Sequence, residues 1–390
     1  MPSREQDKMA DTTWNLNLEQ IIPGWKPAPQ RKQYLVGVLA GEGIGPEIIA
    51  AALQVLEAVA HRMGVPLSIR IGGKIGTEAY RQTGTVLTPE VIEFCRSVFD
   101  QGGSVLCGPA GGRFVYELRA RFDLFCKIAP VRPLVSLLEV GAVKPEKRKG
   151  VDVLIVRENT AGVYFGRWED RKAESGLVAA HQFEYREGEV ERIVRVALEL
   201  ARRRRGHLTM ALKTEGIPSI SRLWLETAER LVQGSGVSLE VLQVDNAVFQ
   251  LIQSAGKFDV VVTSNLFGDI LADCAGVLLG SRGLCFSGNF GTAGKAVYQT
   301  GHGGADDLKG RDLANPVGQI LSLAMMLQVS FGLTDLTTHI LAAIEKTLLA
   351  GWRTADMAGP GTRTVGTREL GRRIIQSCEE IHAEDEHEKR

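Results

Sequence analysis

The sequence predicts an α/β protein with a mostly parallel central sheet and helices on both faces. Three observations carry that reading. Short β-branched apolar runs recur along the chain and alternate with amphipathic segments of helical period. The apolar runs stop at polar or glycine-rich loops, the pattern of strands buried on both faces. With 390 residues, 44% hydrophobic and 24% charged, the chain can bury one large or two medium cores. Two domains are expected: one holding both ends of the chain (34–110 and 284–390) and one inserted between them (111–283), after an extension over 1–33.

Lys plus Arg and Asp plus Glu each total 46, so the formal net charge is zero. This balance argues against a general nucleic-acid or anionic-membrane binder, although local patches stay open. The six cysteines (Cys95, Cys107, Cys126, Cys274, Cys285, Cys378) form no CxxC pair and read as small buried residues of a reducing compartment. No apolar run approaches the ~20 residues of a membrane span. The start, MPSREQDKMADTTWN, lacks the apolar stretch of a secretory signal, so a cytoplasmic protein with no membrane or nucleic-acid partner is expected.

In chain order, residues 1–33 carry Pro23, Pro27 and Pro29 and little periodicity. They read as an extended or disordered arm, with Trp14 and Trp25 as anchors onto the body. YLVGVLAG then predicts a strand, GEGIGPE a glycine-rich turn, and IIAAALQVLEAVAHRMG an amphipathic helix. The glycines at 41, 43 and 45 do not make a dinucleotide fingerprint: Pro46 follows them, and no acidic residue closes the next strand. VLCG predicts a strand opening towards a helix over Arg113 to Arg121, and residues 162–185 carry short alternating pieces of an antiparallel arm. VERIVRVALELARRRRG predicts a helix whose four arginines suit its C-terminus and read as a solvated end. The tail EEIHAEDEHEKR reads as frayed helix.

The residues that carry chemistry concentrate in 244–283. FDVVVT predicts a buried strand ended by Ser264-Asn265, and a helix follows from Leu266, on which Asp269 and Asp273 share one face. Asp245 closes LEVLQVD, at the tip of a neighbouring strand. Three such carboxylates suit Mg²⁺ or Mn²⁺, which take oxygen ligands. On spacing alone the commoner reading is that Asp269 caps a helix and Asp273 faces water. Arg157 ends the strand VDVLIV, where ligands gather in α/β sheets, and its planar fork suits a carboxylate; an ion pair with a neighbouring acid is the alternative. Lys213 follows the strand HLTMALK and fits either a base of lowered pKa or a lysine reaching to solvent. Tyr164, taken alone, reads as a packed aromatic.

NLFGDILAD, with VDN before it and GSRGL after it, closely resembles the metal-binding segment of the β-decarboxylating dehydrogenases, the isocitrate and 3-isopropylmalate dehydrogenase family. RENTAGVYFG resembles that family's active-site strand and loop, and HGGADDLKGRDLANP (302–316) its adenosine loop. The likeness runs from about Tyr34 to about Ile375. It implies the isopropylmalate-dehydrogenase-like two-domain fold, with the arm clasping a second subunit into a homodimer and the active site in the cleft. It further implies metal ligands Asp269 and Asp273 in cis with Asp245 serving the neighbouring subunit, Lys213 reaching across to take the hydroxyl proton, and Tyr164 protonating the enol. The cofactor residues implied are His302, Gly303, Ala305, Asp307 and Asn315. Asp307 would accept from the ribose hydroxyls and repel a 2′-phosphate, favouring NAD over NADP. The reaction implied is oxidative decarboxylation of a 3-substituted malate.

The chain departs from the family's pattern at several positions. Glu42 replaces an aspartate, Lys213-Thr214-Glu215 stands for KAN, Gly304 and Asp306 replace Ser and Pro, and Gln299-Thr300-Gly301 stands for Glu-Pro-Val. Of the family's three substrate arginines, Arg119 and Arg157 match the first and third, whereas Ala129 occupies the second place, with Lys127 two residues before and Arg132 three after. Arg113 is expected to contact a polar or anionic substituent, so that isopropylmalate is not the preferred substrate; the alternative is that it points to solvent or pairs with Glu117. Two rival readings follow from the departures: a catalytically silent regulatory subunit, and a tartrate- or malate-type dehydrogenase that does not decarboxylate.

Overall fold

A computed structural model describes residues 14, 16–26 and 32–388, with side chains described through 384. The chain begins β1 (Tyr34–Leu39), α1 (Gly45–Arg62), β2 (Leu67–Ile71), α2 (Gly76–Thr83), α3 (Pro89–Asp100) and β3 (Ser104–Cys107). It continues through α4 (Phe114–Phe122), β4 (Cys126–Val131), α5 (Pro145–Arg148) and β5 (Val153–Glu158) to the hairpin β6 (Arg167–Ala173) and β7 (Gly176–Gln182). Next come α6 (Glu187–Arg202), β8 (His207–Leu212), α7 (Pro218–Val232), β9 (Ser238–Gln243), α8 (Val244–Gln253), β10 (Val260–Thr263) and α9 (Asn265–Leu279). β11 (Phe286–Phe290), β12 (Ala296–Thr300), α10 (Val317–Phe331), α11 (Thr334–Leu349) and α12 (Thr367–Glu388) complete the main elements.

One sheet of ten strands runs β2-β1-β3-β12-β11-β4-β5-β10-β8-β9. β2, β1, β3 and β12 form one parallel block, and β5, β10, β8 and β9 form another. Three antiparallel pairings, through β11 and β4, join the blocks, so the two run in opposite directions. The mostly parallel reading therefore holds, and its exceptions sit in the middle of the sheet. There the carboxyl end of β5 lies against the start of β4, with Arg157 opposite Lys127 and Glu158 opposite Cys126.

β1, β3, β4, β5 and β10 are buried along their whole length, in keeping with their mostly apolar sequences; Lys127 on β4 and Arg157 and Glu158 on β5 are the charged exceptions. α10 is buried on nearly every side, Gln328 excepted, and packs between the sheet and helices α1 and α11, the place for a helix without a polar face. The predicted arm is the antiparallel hairpin β6–β7, with Trp168 and Leu177 exposed on it. All six cysteines are free thiols.

The first turn shows why its glycines are needed. Gly43 has φ +59°, and a Cβ there would fall 1.9 Å from the carbonyl oxygen of Gly304, to which Ile44 N donates at 2.8 Å. The Glu42 carboxylate accepts from Thr77 N, Glu78 N and Gly111 N at 3.0, 2.5 and 2.6 Å, tying the turn to the start of α2 and the loop before α4.

Several expectations need correction. In the extension, residues 18–25 are turned rather than extended: Ile21 N and Ile22 N both donate to Leu18 O, and Trp25 N to Ile22 O. Trp14 and Trp25 do anchor, their rings 5.1 and 5.4 Å from those of Phe286 and Phe290; the remainder of 1–33, apart from Lys32 and Gln33, lies outside the described residues. Asp245 does not close a strand. β9 stops at Gln243, and Asp245 stands in the first turn of α8.

The arginine run is a solvated end only in part: Arg202 and Arg205 are exposed, but Arg204 is drawn in. α6 stops at Arg202, and the chain then turns back onto the sheet, so Arg204 Nε reaches the buried Asp259 at 2.7 Å while Arg205 N donates to its other oxygen at 2.8 Å. Arg204 also pairs with Asp152 at 3.1 Å, which fastens the end of α6 to the starts of β5 and β10. Replacing Asp259 by Ala removes the buried partner of Arg204. It should lower unfolding stability by about 3–5 kcal/mol, read as a shifted urea midpoint against wild type.

Candidate active site

The site is built on the carboxyl ends of β5 and β10. Arg157 lies one residue before the end of β5 with its side chain buried. Its Nε and Nη2 donate to Asn265 Oδ1 at 3.0 and 2.7 Å, and its Nη1 donates to Asp269 Oδ1 at 2.5 Å. Asn265 and Asp269 both come from the first turns of α9, which begins directly after β10 because Ser264 leaves the strand in extended conformation. Asn265 is itself fixed: its Nδ2 donates to Ala161 O and its backbone N to the Tyr185 hydroxyl, both at 3.0 Å. The guanidinium is thus aimed by two partners that are themselves held in place.

Tyr164 donates its hydroxyl to Asp269 Oδ2 at 2.9 Å. Burial and the negative Asp269 raise the phenol's pKa, so the proton stays on Tyr164 through the neutral range. Burial tends to raise the Asp269 pKa as well, but Arg157, Lys127 and the two hydrogen bonds outweigh it, and the carboxyl is held below its ordinary value. Asp269 therefore neither caps α9 nor is free in water. Asp273, four residues on, meets Arg282 Nη2 at 2.5 Å.

Two further buried cations lie beside Arg157. Arg119, on α4, is 4% exposed, with its Nε unpartnered; burial and then the neighbouring Arg157 lower its pKa to about 9. Lys127, on β4, is 7% exposed, and burial followed by the charges of Arg157 and Arg119 pushes its ammonium down to about 7. Lys127, Ala129, Asp269, Asp273, Cys285 and Ser287 line one pocket. Sequence reasoning marks Lys127 only as a neighbour of Ala129, and Asn265 not at all as a site residue. The pairing of β4 with β5, which turns Lys127 into the cleft, has no local signature.

Arg113 stands just before α4, where it neither pairs with Glu117 nor hangs free. Its Nη2 donates to Tyr164 O at 2.8 Å, and its guanidinium lies 5.2 and 4.9 Å from the ring centres of Tyr116 and Trp168. It joins α4 to the loop of Tyr164 and to the hairpin.

Lys213 and Asp245 lie apart from this cluster as a pair of their own, Nζ to Oδ2 3.0 Å, both side chains substantially exposed. Among the described residues no three His, Cys, Asp or Glu side chains come together as a metal cage, so one chain alone does not gather Asp245, Asp269 and Asp273. Asp269 and Asp273 nevertheless fit a hard cation. Both are oxygen donors on one face of α9 at the cleft, and both already attract a guanidinium.

The 302–316 loop rests on the first turn through the Gly304 contact. His302 Nδ1 meets Gly303 O at 2.9 Å, while Nε2 is buried without a partner, and burial lowers the ring's pKa. That orphaned nitrogen, next to the exposed Gly303, Ala305 and Asp307, fits a bound polar ligand. Ala305 adopts φ +43°. Asn315 turns inward instead: its Nδ2 donates to Asp356 Oδ2 at 2.9 Å and its Oδ1 accepts from Val317 N at 3.0 Å, at the start of α10. Its side-chain amide is therefore engaged within the protein in the free chain. Glu215 and Gln299 lie outside the Arg157 network, Glu215 exposed and Gln299 half-buried on β12.

Buried cations beside a proton-bearing tyrosine and a pair of carboxylates suit an organic acid, and the similarity to known proteins gives the class, the decarboxylating hydroxy-acid dehydrogenases. The chain belongs to the isocitrate/isopropylmalate dehydrogenase family, whose model matches residues 35–374. It is 39% identical over 362 residues to a 3-isopropylmalate dehydrogenase of Moorella thermoacetica, covering 89% of this chain and 99% of that one. A 3-isopropylmalate dehydrogenase of Geobacillus kaustophilus is 40% identical over 352 residues, 86% of this chain and 93% of that one. Among solved structures, isocitrate dehydrogenase from Methylococcus capsulatus superposes with a TM-score of 0.79 at 28% identity, covering 88% of this chain and 99% of that one. No helix among the described residues is long and apolar enough to cross a membrane.

Gly268 tests how tightly Arg157 is aimed. It lies inside α9, where alanine suits the backbone, but a Cβ there would come within 2.7 Å of the Arg157 Cβ and Cγ. Gly268→Ala should displace the guanidinium and raise the KM for the acid about tenfold or more, the scale of one lost charge-assisted hydrogen bond. Circular dichroism should show the fold retained. An unchanged KM would mean Arg157 does not hold the substrate.

Proposed function

We propose that the chain catalyses NAD-dependent, Mg²⁺- or Mn²⁺-dependent oxidative decarboxylation of a 3-substituted malate, as a homodimer whose segment 111–283 forms the contact between subunits. The observation that carries this reading is the clustering of the buried cations Arg119, Lys127 and Arg157, whose nearby carboxylates are too few to neutralise them. A dicarboxylate supplies the missing charge, because buried cations are stable only when paired.

Arg119 and Arg157 bind the substrate carboxylates, and Asn265 keeps Arg157 in register. Asp269 and Asp273 hold the cation together with Asp245 from a second copy; the cation, once bound, supplies Lewis-acid stabilisation to the charge developing on the substrate oxygen. Lys213 from the second copy accepts the hydroxyl proton as the neutral amine, a state open to it once Asp245, its ion-pair partner in the free chain, is taken up by the cation. Tyr164 keeps a proton on its hydroxyl beside Asp269 and delivers it to the enol carbon. NAD on the 302–316 loop supplies the oxidant, and the exposed Asp307 carboxylate accepts from the ribose hydroxyls. Phe249 on α8, the helix that carries Asp245, and Ile270 and Val277 on α9 are exposed apolar side chains, which supports a second copy packing against these helices.

NADH formation with Mn²⁺ present, screened over isopropylmalate, isocitrate, homoisocitrate, malate and tartrate, tests the reaction and ranks its substituents. Activity should vanish in EDTA and return with Mn²⁺ or Mg²⁺. Lys213→Met and Tyr164→Phe should each lower kcat by about 10²-fold or more, the scale of a proton-transfer group. Normal turnover in chelator would sink the mechanism. For the cofactor, kcat/KM should favour NAD over NADP, and Asp307→Ala should reduce that preference by roughly 1–3 kcal/mol. A wild-type preference for NADP would contradict the role given to Asp307.

A further inference from the structure

We propose that Lys127 is a substrate-binding residue, its ammonium the receptor for one carboxylate of the hydroxy acid. The assignment rests on the reading that the cleft takes a hydroxy-dicarboxylate.

Lys127 and Ala129 point to the same face of β4, because side chains alternate along a strand, and both line the cleft. The antiparallel register sets Lys127 opposite Arg157 on β5. On the other side it faces Asn289 of β11, so the lysine is held between two central strands. At 7% exposure it is as buried as a core residue, yet its ammonium has neither a hydrogen bond nor an ion pair among the described residues.

The acids in reach are already engaged. Asp269 receives Arg157 on one oxygen and Tyr164 on the other, and Asp273 receives Arg282. A structural lysine would pair with one of them or run its whole side chain out to solvent, whereas Lys127 pairs with none of them and is only 7% exposed. Its neighbours Arg119 and Arg157 are cations, so its position is unfavourable until an anion arrives. A ligand with two carboxylates meets that need, one carboxylate on the arginines and one on Lys127. Ala129 adds only a methyl group to the same face, which leaves the cleft there to the lysine.

The test compares wild type with Lys127→Met and Lys127→Gln in the full-length protein. Malate, the unsubstituted parent acid, is titrated calorimetrically with Mn²⁺ present; NAD binding and thermal melting are measured alongside. Both variants should weaken malate about 10- to 100-fold, as expected for losing a charge-assisted hydrogen bond, and leave NAD affinity unchanged. Melting without ligand should stay level or rise, because an unpaired buried cation has been removed. Moving the charge back in Lys127→Met/Ala129→Arg should recover part of the malate affinity. Malate affinity within twofold of wild type in both variants, or a wild type that does not bind malate, overturns the assignment. A wild type that binds malate through Lys127 but turns over no hydroxy acid upholds the assignment and refutes the reaction proposed above.

Discussion

The charge of Arg157 has to be met inside the protein, and much of the site follows from that constraint. A guanidinium at the end of a buried strand is stable only with its donors satisfied. Asn265 and Asp269 take three of its five donors, which ties the start of α9 to the end of β5 and leaves two for a ligand. Asp269 then orders Tyr164. Arg119 and Lys127, packed beside Arg157 with no acid of their own, hold the remaining positive charge, and the cost of desolvating them appears in their lowered pKa values of about 9 and about 7. An unpaired cluster of this kind is receptive to an anion for the same electrostatic reason.

The sheet makes that clustering geometrically available. Two parallel blocks running in opposite directions need antiparallel pairings between them, and β11 and β4 supply these. The carboxyl end of one block thereby lies beside the first residues of β4, and side chains far apart in sequence share one cleft. The Gly43–Gly304 contact does the same for the loops, pressing the first turn of the chain onto the 302–316 segment.

Much of this is legible in the sequence. The unbroken apolar runs of β1, β5, β8 and β10 mark buried strands, and Arg157 and Lys213 can be placed at strand ends from those runs alone. The i, i+4 spacing correctly puts Asp269 and Asp273 on one helical face. What cannot be read depends on pairing between distant segments. Nothing local in LFCKIAP says that Lys127 lies between Arg157 and Asn289. Arg204 looks like one of four solvated arginines because its partner, Asp259, is 55 residues away. Asp245 reads as the end of a strand that in fact stops two residues earlier, since boundary residues carry little periodicity. Asn315 matches a motif, but its amide serves the start of α10 and Asp356.

The docking of Trp14 and Trp25 onto Phe286 and Phe290 has a consequence for how the chain is made. The segment with Trp14, Leu16, Leu18, Ile21, Ile22 and Trp25 leaves the ribosome long before the strand it covers, β11, has been synthesised. At roughly 5–20 residues per second, the apolar segment waits tens of seconds for its binding surface. During that interval it is a sticky stretch that a chaperone can hold. It can dock only once β11 is made, so a segment that precedes every described strand has to wait for one of the later ones.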